Sequence, residues 1–280
     1  MTLRDFLEYG ESQLSVSPHP DRAIRDAETL LLHLIGKNKA WLMAHANDDF
    51  AGCSAIRYAS LLERRCKGEP LQYIIGEVEF YRMPFRVTPE VLIPRPETEH
   101  LVEKTIALAV ALEHPRILDI GTGSGAIAVS LAQNLPNAQI TATDVSSSAL
   151  AIAEDNARRN AVTIRFLQGD VLIPVAGETF DLIVSNPPYV SAADRDSLSV
   201  EVRDHEPSLA LFAGNDGLEI YRRLIPQAFA ALAPGGFIAL EIGYGQQPAI
   251  QRLLAIAGFT NIEFTPDLQG IPRVAVAQRI

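Results

Sequence analysis

The chain predicts an α/β fold: a mostly parallel, doubly wound, seven-stranded sheet, preceded by a small helical bundle and a β-hairpin linker. Three observations carry that prediction. From Arg116 onward, short apolar runs of strand length alternate with longer segments of helical period. Before Gly76 the apolar residues recur only at helical spacing. Between Gly76 and Pro96 the pattern becomes a period-two alternation interrupted by a turn. The expected division is a helical domain over residues 1–75, a hairpin linker over 76–95 and a sheet domain over 96–280.

Each element has its own signal. Ala23, Ala27, Leu30, Leu31 and Leu34 mark one helix, stopped near Gly36. Ile56, Leu61 and Leu62 mark another, with the basic end Arg64-Arg65-Cys66-Lys67 and the stop Gly68. Trp41 and Phe50 either pack in this small domain or face a partner. Glu77–Tyr81 and Pro84–Val87 alternate about a turn at Arg82-Met83, which predicts the hairpin. The prolines of Ile93-Pro94-Arg95-Pro96 hold an extended segment before a helix near Glu97. Val102, Ile106, Ala109 and Val110 give that helix its apolar face. Strands are then expected at 116–120, 139–143, 163–167, 180–184, 237–242, 261–265 and 273–278. Helices fit at 126–133, 147–159, 218–232 and 246–257.

Composition narrows the class. Of 280 residues, 48% are hydrophobic and 21% charged, enough for a sizeable core and against wholesale disorder. No run approaches the ~18 apolar residues of a membrane span. The start Met1-Thr2-Leu3-Arg4-Asp5 lacks a signal-peptide apolar region, so a cytoplasmic location is expected. Cys53 and Cys66 lack metal-ligand spacing and read as reduced structural thiols. His19, His33, His45, His100, His114 and His205 show no such spacing either, and no metal is expected. The net charge of -10 opposes non-specific binding to a phosphate backbone. It tilts the partner toward protein or small molecule without excluding a locally held nucleic acid.

Two stretches carry chemistry. The first is Asn186-Pro187-Pro188-Tyr189, at the carboxyl end of a buried-strand pattern, where open α/β sheets place ligands. Its prolines remove two backbone donors and fix φ. A stiff row of acceptors remains, the Asn186 side chain and the Pro187 carbonyl. A planar NH2 group has one proton for each. The bland alternative is that Pro-Pro merely ends the strand. The second stretch runs from Ile117 to Gly125, a strand entering a glycine-rich turn that opens a helix. Glycines there permit close backbone approach to a ligand. The spacing Gly121-x-Gly123-x-Gly125 departs from Gly-x-Gly-x-x-Gly, because residue 126 is alanine, and no Walker lysine follows. Gly121, Thr122, Gly123, Ser124 and Gly125 are therefore candidates for holding a nucleoside-containing ligand. Asp144 ends the next strand, 23 residues after Gly121, where a carboxylate can accept from both ribose hydroxyls. Alternatively it caps the helix that starts near Ser147. Asp170 can accept from an adenine amino group and Val171 can pack on the ring, or the pair forms a simple turn. Arg95, Thr98 and Glu99 are candidates for covering the ligand or contacting a substrate, or Thr98 and Glu99 simply sit in the first helical turn; Glu241, ending a central strand near the ligand edge, is read likewise.

These residues resemble the class I S-adenosylmethionine-dependent methyltransferases, a Rossmann-like superfamily. The Asp119–Gly125 turn, Asp144, Asp170 and Asn186–Tyr189 stand in that superfamily's order and approximate spacing. Asn-Pro-Pro-Tyr narrows the resemblance to amino-group methyltransferases, which act on adenine N6, guanine N2 or glutamine N5. The stretches Gly68–Gly76, Phe85–Pro89 and Val91–Glu99 resemble the release factor glutamine methyltransferases of the HemK/PrmC type. Glu206-Pro207 before Gly214-x-x-Gly217, and Asp267–Arg273, agree. Nearly the whole chain is covered, most weakly before residue 60. One departure is Val171, where some members carry Trp, with less stacking area on adenine.

The resemblance implies methylation of the glutamine N5 in the Gly-Gly-Gln loop of peptide chain release factors, with S-adenosyl-L-methionine as donor and S-adenosyl-L-homocysteine as product. It implies a five-helix amino-terminal domain that docks the release factor; a monomer is expected, with no direct nucleic-acid partner. Asn186, Pro187 and Tyr189 take the catalytic roles. Asn186, Pro187, Pro188 and Tyr189 bind the substrate amide, with Tyr189 packed on or beside it. Gly121–Gly125, Asp144, Asp170, Val171 and Asn186 hold the cofactor. No general base is evident. Two other readings share the site: a nucleic-acid amino methyltransferase, and a non-catalytic scaffold keeping a cofactor pocket.

Overall fold

A computed structural model describes residues 1–50 and 52–280, leaving out the Cys53 side chain. The expectation for the Cys53 thiol therefore lies outside the described residues. Cys66 is a free, half-buried thiol whose pKa burial raises. The chain divides into two compact units. One comprises Met1–Glu77 with Leu198–His205, the other Val78–Ser197 with Glu206–Ile280. The expected boundaries included no such excursion at 198–205. Among the described residues, no helix is long and apolar enough to cross a membrane.

The first unit holds α1 (Leu3–Leu14), α2 (Ala23–Ile35), α3 (Lys39–Ala44), α4 (Cys53–Cys66) and α5 (Leu71–Ile75). A capping box starts α1: the Asp5 N–H donates to Thr2 Oγ1 at 3.2 Å and the Thr2 N–H to Asp5 Oδ2 at 2.8 Å. Leu14, Ala27, Leu30, Leu31 and Leu62 form the core. The apolar face of α4 differs from expectation. Ile56 is 74% exposed, and the buried positions are Tyr58, Leu62 and Arg65, four and three residues apart. The basic end of α4 is likewise no solvated stop. Arg65 is 1% exposed, with Nε donating to Asp26 Oδ2 at 2.7 Å and Nη1 to the Glu69 carbonyl at 3.0 Å. Its Nη1 also lies 2.6 Å from Glu201 Oε1, on the 198–205 excursion. Phe50 meets Phe6 edge-on at 5.0 Å, and Trp41 stacks on His45 at 4.1 Å. Both rings pack, half-buried, against this unit's core.

The hairpin strands are β1 (Glu77–Phe80) and β2 (Met83–Arg86). The turn lies one residue earlier than expected, at Tyr81 and Arg82, with φ of 48° and 61°. Two left-handed residues match the twist of a two-residue hairpin, and neither side chain advertises it. Next come α6 (Thr98–Ala109), β3 (Arg116–Ile120), α7 (Ala126–Asn134), β4 (Gln139–Asp144), α8 (Ser147–Arg159), β5 (Arg165–Gln168) and β6 (Phe180–Ser185). After α9 (Val200–His205), in the excursion, the chain runs through α10 (Ser208–Leu211), α11 (Glu219–Ala231), β7 (Leu232–Glu241), α12 (Gln247–Ala257), β8 (Thr260–Pro266) and β9 (Pro272–Gln278). On α6 the buried face is Thr98, Leu101, Val102, Thr105 and Ala109, whereas Val110 follows the last turn and is 67% exposed.

The seven strands lie in the order β5-β4-β3-β6-β7-β9-β8. All pairs from β5 to β7 are parallel, and β9 runs antiparallel to β7 and β8. The chain winds outward from β3 to β5, then returns to β6 on the other side of β3. Strand order reverses there, so a crevice opens beyond the carboxyl ends of β3 and β6. The helices bury one apolar layer on each face. Leu101, Val102, Ile127 and Val129 belong to one, Tyr221, Leu224, Ile250 and Leu254 to the other.

Candidate active site

A cleft of about 530 Å3 occupies that crevice. Its floor is the glycine turn after β3. The Gly121 and Thr122 N–H groups donate to the Thr143 carbonyl at 2.8 and 3.0 Å, which ties the turn to the end of β4. Gly121, Gly123 and Gly125 have φ of 71°, 56° and 81°, the left-handed region that glycine enters without penalty. A Cβ on Gly121 or Gly123 would meet no atom within 4 Å, so both backbones border open space.

Asp119 sits beneath the turn, fully buried. Its Oδ2 accepts from the Thr122 hydroxyl at 2.7 Å, and its Oδ1 has no hydrogen-bond partner among the described residues. Burial pushes its pKa up to about 7, with neighbouring Asp144 adding to the rise. Asp144 accepts from the Gly123 N–H and the Ser146 N–H, each at 2.9 Å. The helix cap is Ser146, whose hydroxyl accepts from the Ala149 N–H, so Asp144 shapes the turn and does not cap α8. Burial raises the Asp144 pKa above its ordinary value. Each of its oxygens keeps a second lone pair, and the residue lines the cleft.

Asp170 and Val171 line the cleft as well. Asp170 is not free: the Arg223 guanidinium of α11 pairs with it. Val171 is buried, with φ of 50°. A β-branched residue in that region carries strain of about 1–3 kcal/mol.

The opposite wall is the Asn186–Pro188 stretch. The Ser185 hydroxyl donates to the Ile120 carbonyl at 2.7 Å, fixing the ends of β6 and β3 together. Asn186 Nδ2 donates to Thr98 Oγ1 at 3.1 Å, and Thr98 Oγ1 donates to Glu241 Oε2 at 2.6 Å. Asn186 Oδ1 keeps its lone pairs on the cleft wall. Thr98, at the start of α6, lines the cleft, whereas Glu241 lies behind it at the end of β7. Tyr189, next in the chain, is half-buried. Its hydroxyl lies 3.5 Å from Glu241 Oε1, and burial near that carboxylate raises the phenol's pKa. Its carbonyl accepts from Gln246 Nε2 at 3.0 Å. Gln246 also donates to the Gly217 carbonyl at 3.2 Å and accepts from the Gly243 N–H at 2.9 Å. Arg95 pairs with buried Glu206, and Glu206 also accepts from the Ile93 N–H at 3.4 Å. Glu99 turns away from the cleft and accepts from the Tyr81 N–H at 2.8 Å. Thr98, Glu241, Gln246 and Arg223 thus join the site, though only the first two had drawn notice in the sequence, Thr98 in the segment that opens α6 and Glu241 at the end of β7.

Comparison with known proteins decides the family. Residues 5–76 match the PrmC N-terminal domain, and residues 98–202 match the methyltransferase small domain. A release factor glutamine methyltransferase of Koribacter versatilis is 40% identical over 280 residues, covering 100% of this chain and 99% of the relative. This chain belongs to the release factor glutamine methyltransferase family. Its likeness to the family member of Moorella thermoacetica is 42% over 282 residues, covering 100% of this chain and 99% of the relative. Among solved structures, a ribosomal protein L11 methylase of Lactobacillus delbrueckii is 25% identical, with a TM-score of 0.51 over 70% of this chain and 86% of that one. A methyltransferase of Pyrococcus furiosus is 22% identical, with a TM-score of 0.54 over 80% and 98%, and supports the methyltransferase fold. The helical unit and the sheet unit therefore each carry a family signature.

Proposed function

We propose that this protein transfers a methyl group from S-adenosyl-L-methionine to the side-chain amide nitrogen (N5) of the glutamine in the Gly-Gly-Gln loop of peptide chain release factors. The observation that carries this reading is the Asn186 amide. Its nitrogen is committed to Thr98, which leaves its oxygen as an acceptor on the cleft wall. A glutamine NH2 offers the two protons that Asn186 Oδ1 and the Pro187 carbonyl accept.

The residues present fit the cofactor. The open backbone at Gly121 and Gly123 accommodates a close-lying ligand. Asp144 takes the ribose hydroxyls. Val171 supports the adenine, and Asp170 takes its amino group once released from Arg223. When bound, the cofactor would supply an electrophilic methyl on a sulfonium centre; the C–S bond breaks to leave the thioether of S-adenosyl-L-homocysteine, and the methylated nitrogen releases one of its two protons to water. The protein's part is positioning. An amide nitrogen is a weak nucleophile, because its lone pair is delocalised into the carbonyl. Two acceptors fixed on a stiff Asn-Pro-Pro frame hold the NH2 plane, orient the nitrogen and shift electron density toward it. Tyr189 braces that frame through Glu241 and Gln246.

The helical unit docks the release factor, and the location is cytoplasmic. Mass spectrometry of a release factor incubated with enzyme and cofactor tests the reading: one added methyl on that glutamine is expected. Methylation of tRNA, rRNA or DNA offered in parallel, and not of the release factor, overturns it. Asn186→Ala is expected to lower kcat far more than cofactor affinity, and a variant with the wild-type kcat removes Asn186 from the mechanism.

A further inference from the structure

We propose that Thr98 and Glu241 are positioning residues, which lock the Asn186 side chain in the single orientation that presents its oxygen to the substrate. The proposal rests on the reading of Asn186 as an acceptor, and goes beyond it by assigning what sets that polarity.

An asparagine amide is nearly symmetric in shape, and a half-turn about its terminal bond exchanges oxygen for NH2. The exchanged form would point a donor at the donors of a substrate NH2. Something must therefore disfavour it. A threonine hydroxyl alone cannot, since it both donates and accepts. The carboxylate behind it removes that freedom. With Glu241 ionised, the single Thr98 hydroxyl proton goes to its Oε2 at 2.6 Å; burial raises the Glu241 pKa to about 7, so the relay is set above that pH and released below it. Only lone pairs remain toward Asn186, so only the NH2 side of the amide is accepted there, at 3.1 Å. A flipped amide would set its oxygen against the Thr98 oxygen, two acceptors without a proton between them. The penalty is large here because the relay is dry. Thr98 is 4% and Glu241 2% exposed, so water has little access to repair a mismatch.

Glu241 is itself held. Its backbone carbonyl accepts from the Tyr221 hydroxyl at 2.7 Å, and its second carboxylate oxygen lies 3.5 Å from the Tyr189 hydroxyl. One buried carboxylate thus reaches both ends of the Asn186–Tyr189 stretch, by Thr98 at the first residue and directly at the last. A buried carboxylate at the end of a central strand is costly in stability, and this relay gives it a use that packing does not.

The test is a double-mutant cycle read by single-turnover methyl transfer to a release factor. Thr98→Val keeps the shape and removes the hydroxyl. Its transfer rate is expected to fall on the order of tenfold, with KM for the release factor and Kd for the cofactor unchanged. Thr98→Ser restores most of the rate. In an Asn186→Ala background Thr98→Val costs nothing further, because no amide remains to orient. Should Thr98→Val fold poorly, Glu241→Leu, which offers Thr98 no acceptor, reads the same relay and is expected to show the same loss and the same silence in the Asn186→Ala background. Wild-type rates in Thr98→Val and Glu241→Leu, or equal losses with and without Asn186, overturn the proposal. Asn186→Ala at the wild-type rate would instead sink the underlying reading of the site.

Discussion

Gly217→Ala isolates the frame that holds the Asn186–Tyr189 stretch. Gly217 has φ of 72°, and a Cβ there would lie 2.3 Å from the Tyr189 carbonyl oxygen and 2.8 Å from Gln246 Nε2. The alanine itself costs about 1–2 kcal/mol for a left-handed backbone. Gln246 Nε2 donates to both the Tyr189 and Gly217 carbonyls, and each of those hydrogen bonds contributes roughly 0.5–1.5 kcal/mol. The sum is a destabilisation of about 2–5 kcal/mol. The effect on rate comes from geometry: the contact can relax only if the Tyr189 carbonyl retreats, and a displacement of about 1 Å at a reacting centre costs on the order of a hundredfold. Gly235 is the control. Its φ is 84°, yet a Cβ there meets nothing within 4 Å, so Gly235→Ala carries the backbone cost alone. Methyl incorporation and thermal melting are measured on both. Both variants are expected to melt lower than the parent, while only Gly217→Ala loses about two orders of magnitude in kcat. If its kcat falls within twofold of that of Gly235→Ala, the loop is not set by this contact.

Two further expectations concern stability. Burial raises the pKa of Glu241 from 4.5 to about 7 and that of Asp119 from 3.8 to about 7, so the fold favours their protonated forms and loses stability as pH rises from the ordinary carboxylate range through 7. Urea midpoints of the parent and Glu241→Gln should therefore shift in the variant's favour between pH 5 and pH 8; a gap independent of pH would exclude Glu241 from that dependence. In the helical unit, Arg65→Met leaves the buried Asp26 carboxylate without its guanidinium and should cost about 3–5 kcal/mol, as read by urea unfolding. Arg64→Met, which breaks the more exposed pair with Glu69, should cost about 0–1 kcal/mol; equal losses would mean that the Arg65 cluster is solvated in solution.

What the sequence made legible was what neighbours in the chain determine. Strand β3 and helix α8 begin and end where apolar period and local caps say, at Arg116–Ile120 and Ser147–Arg159. The glycine turn and the Asn-Pro-Pro stretch are likewise short-range features, each visible as an unusual run. Long-range polar contacts were not visible. Thr98 meets Asn186 across 88 positions and Glu241 across 143, and nothing in a threonine after a proline-rich segment announces either partner. Arg223 reaches Asp170 from 53 positions away on α11, whose sequence reads as an ordinary amphipathic helix. Tyr189 was placed beside the substrate because aromatic rings flank amides well. Its contacts to Glu241 and Gln246, from 52 and 57 positions away, were not visible. The buried role of Arg65 was masked by its company, since Arg64 and Lys67 on either side are solvated cations.

The 198–205 excursion bears on the order in which this protein can fold as it is made. Arg65 is among the largest fully buried side chains, and one of its two carboxylate partners, Glu201, arrives 136 positions later in synthesis. A nascent chain ending anywhere between the two has a helical unit whose innermost cation is short of a counter-charge. That unit is therefore completed only after β3 to β6 and the Asn186–Tyr189 stretch have left the ribosome, and an amino-terminal fragment cut at residue 77 is not a faithful stand-in for it.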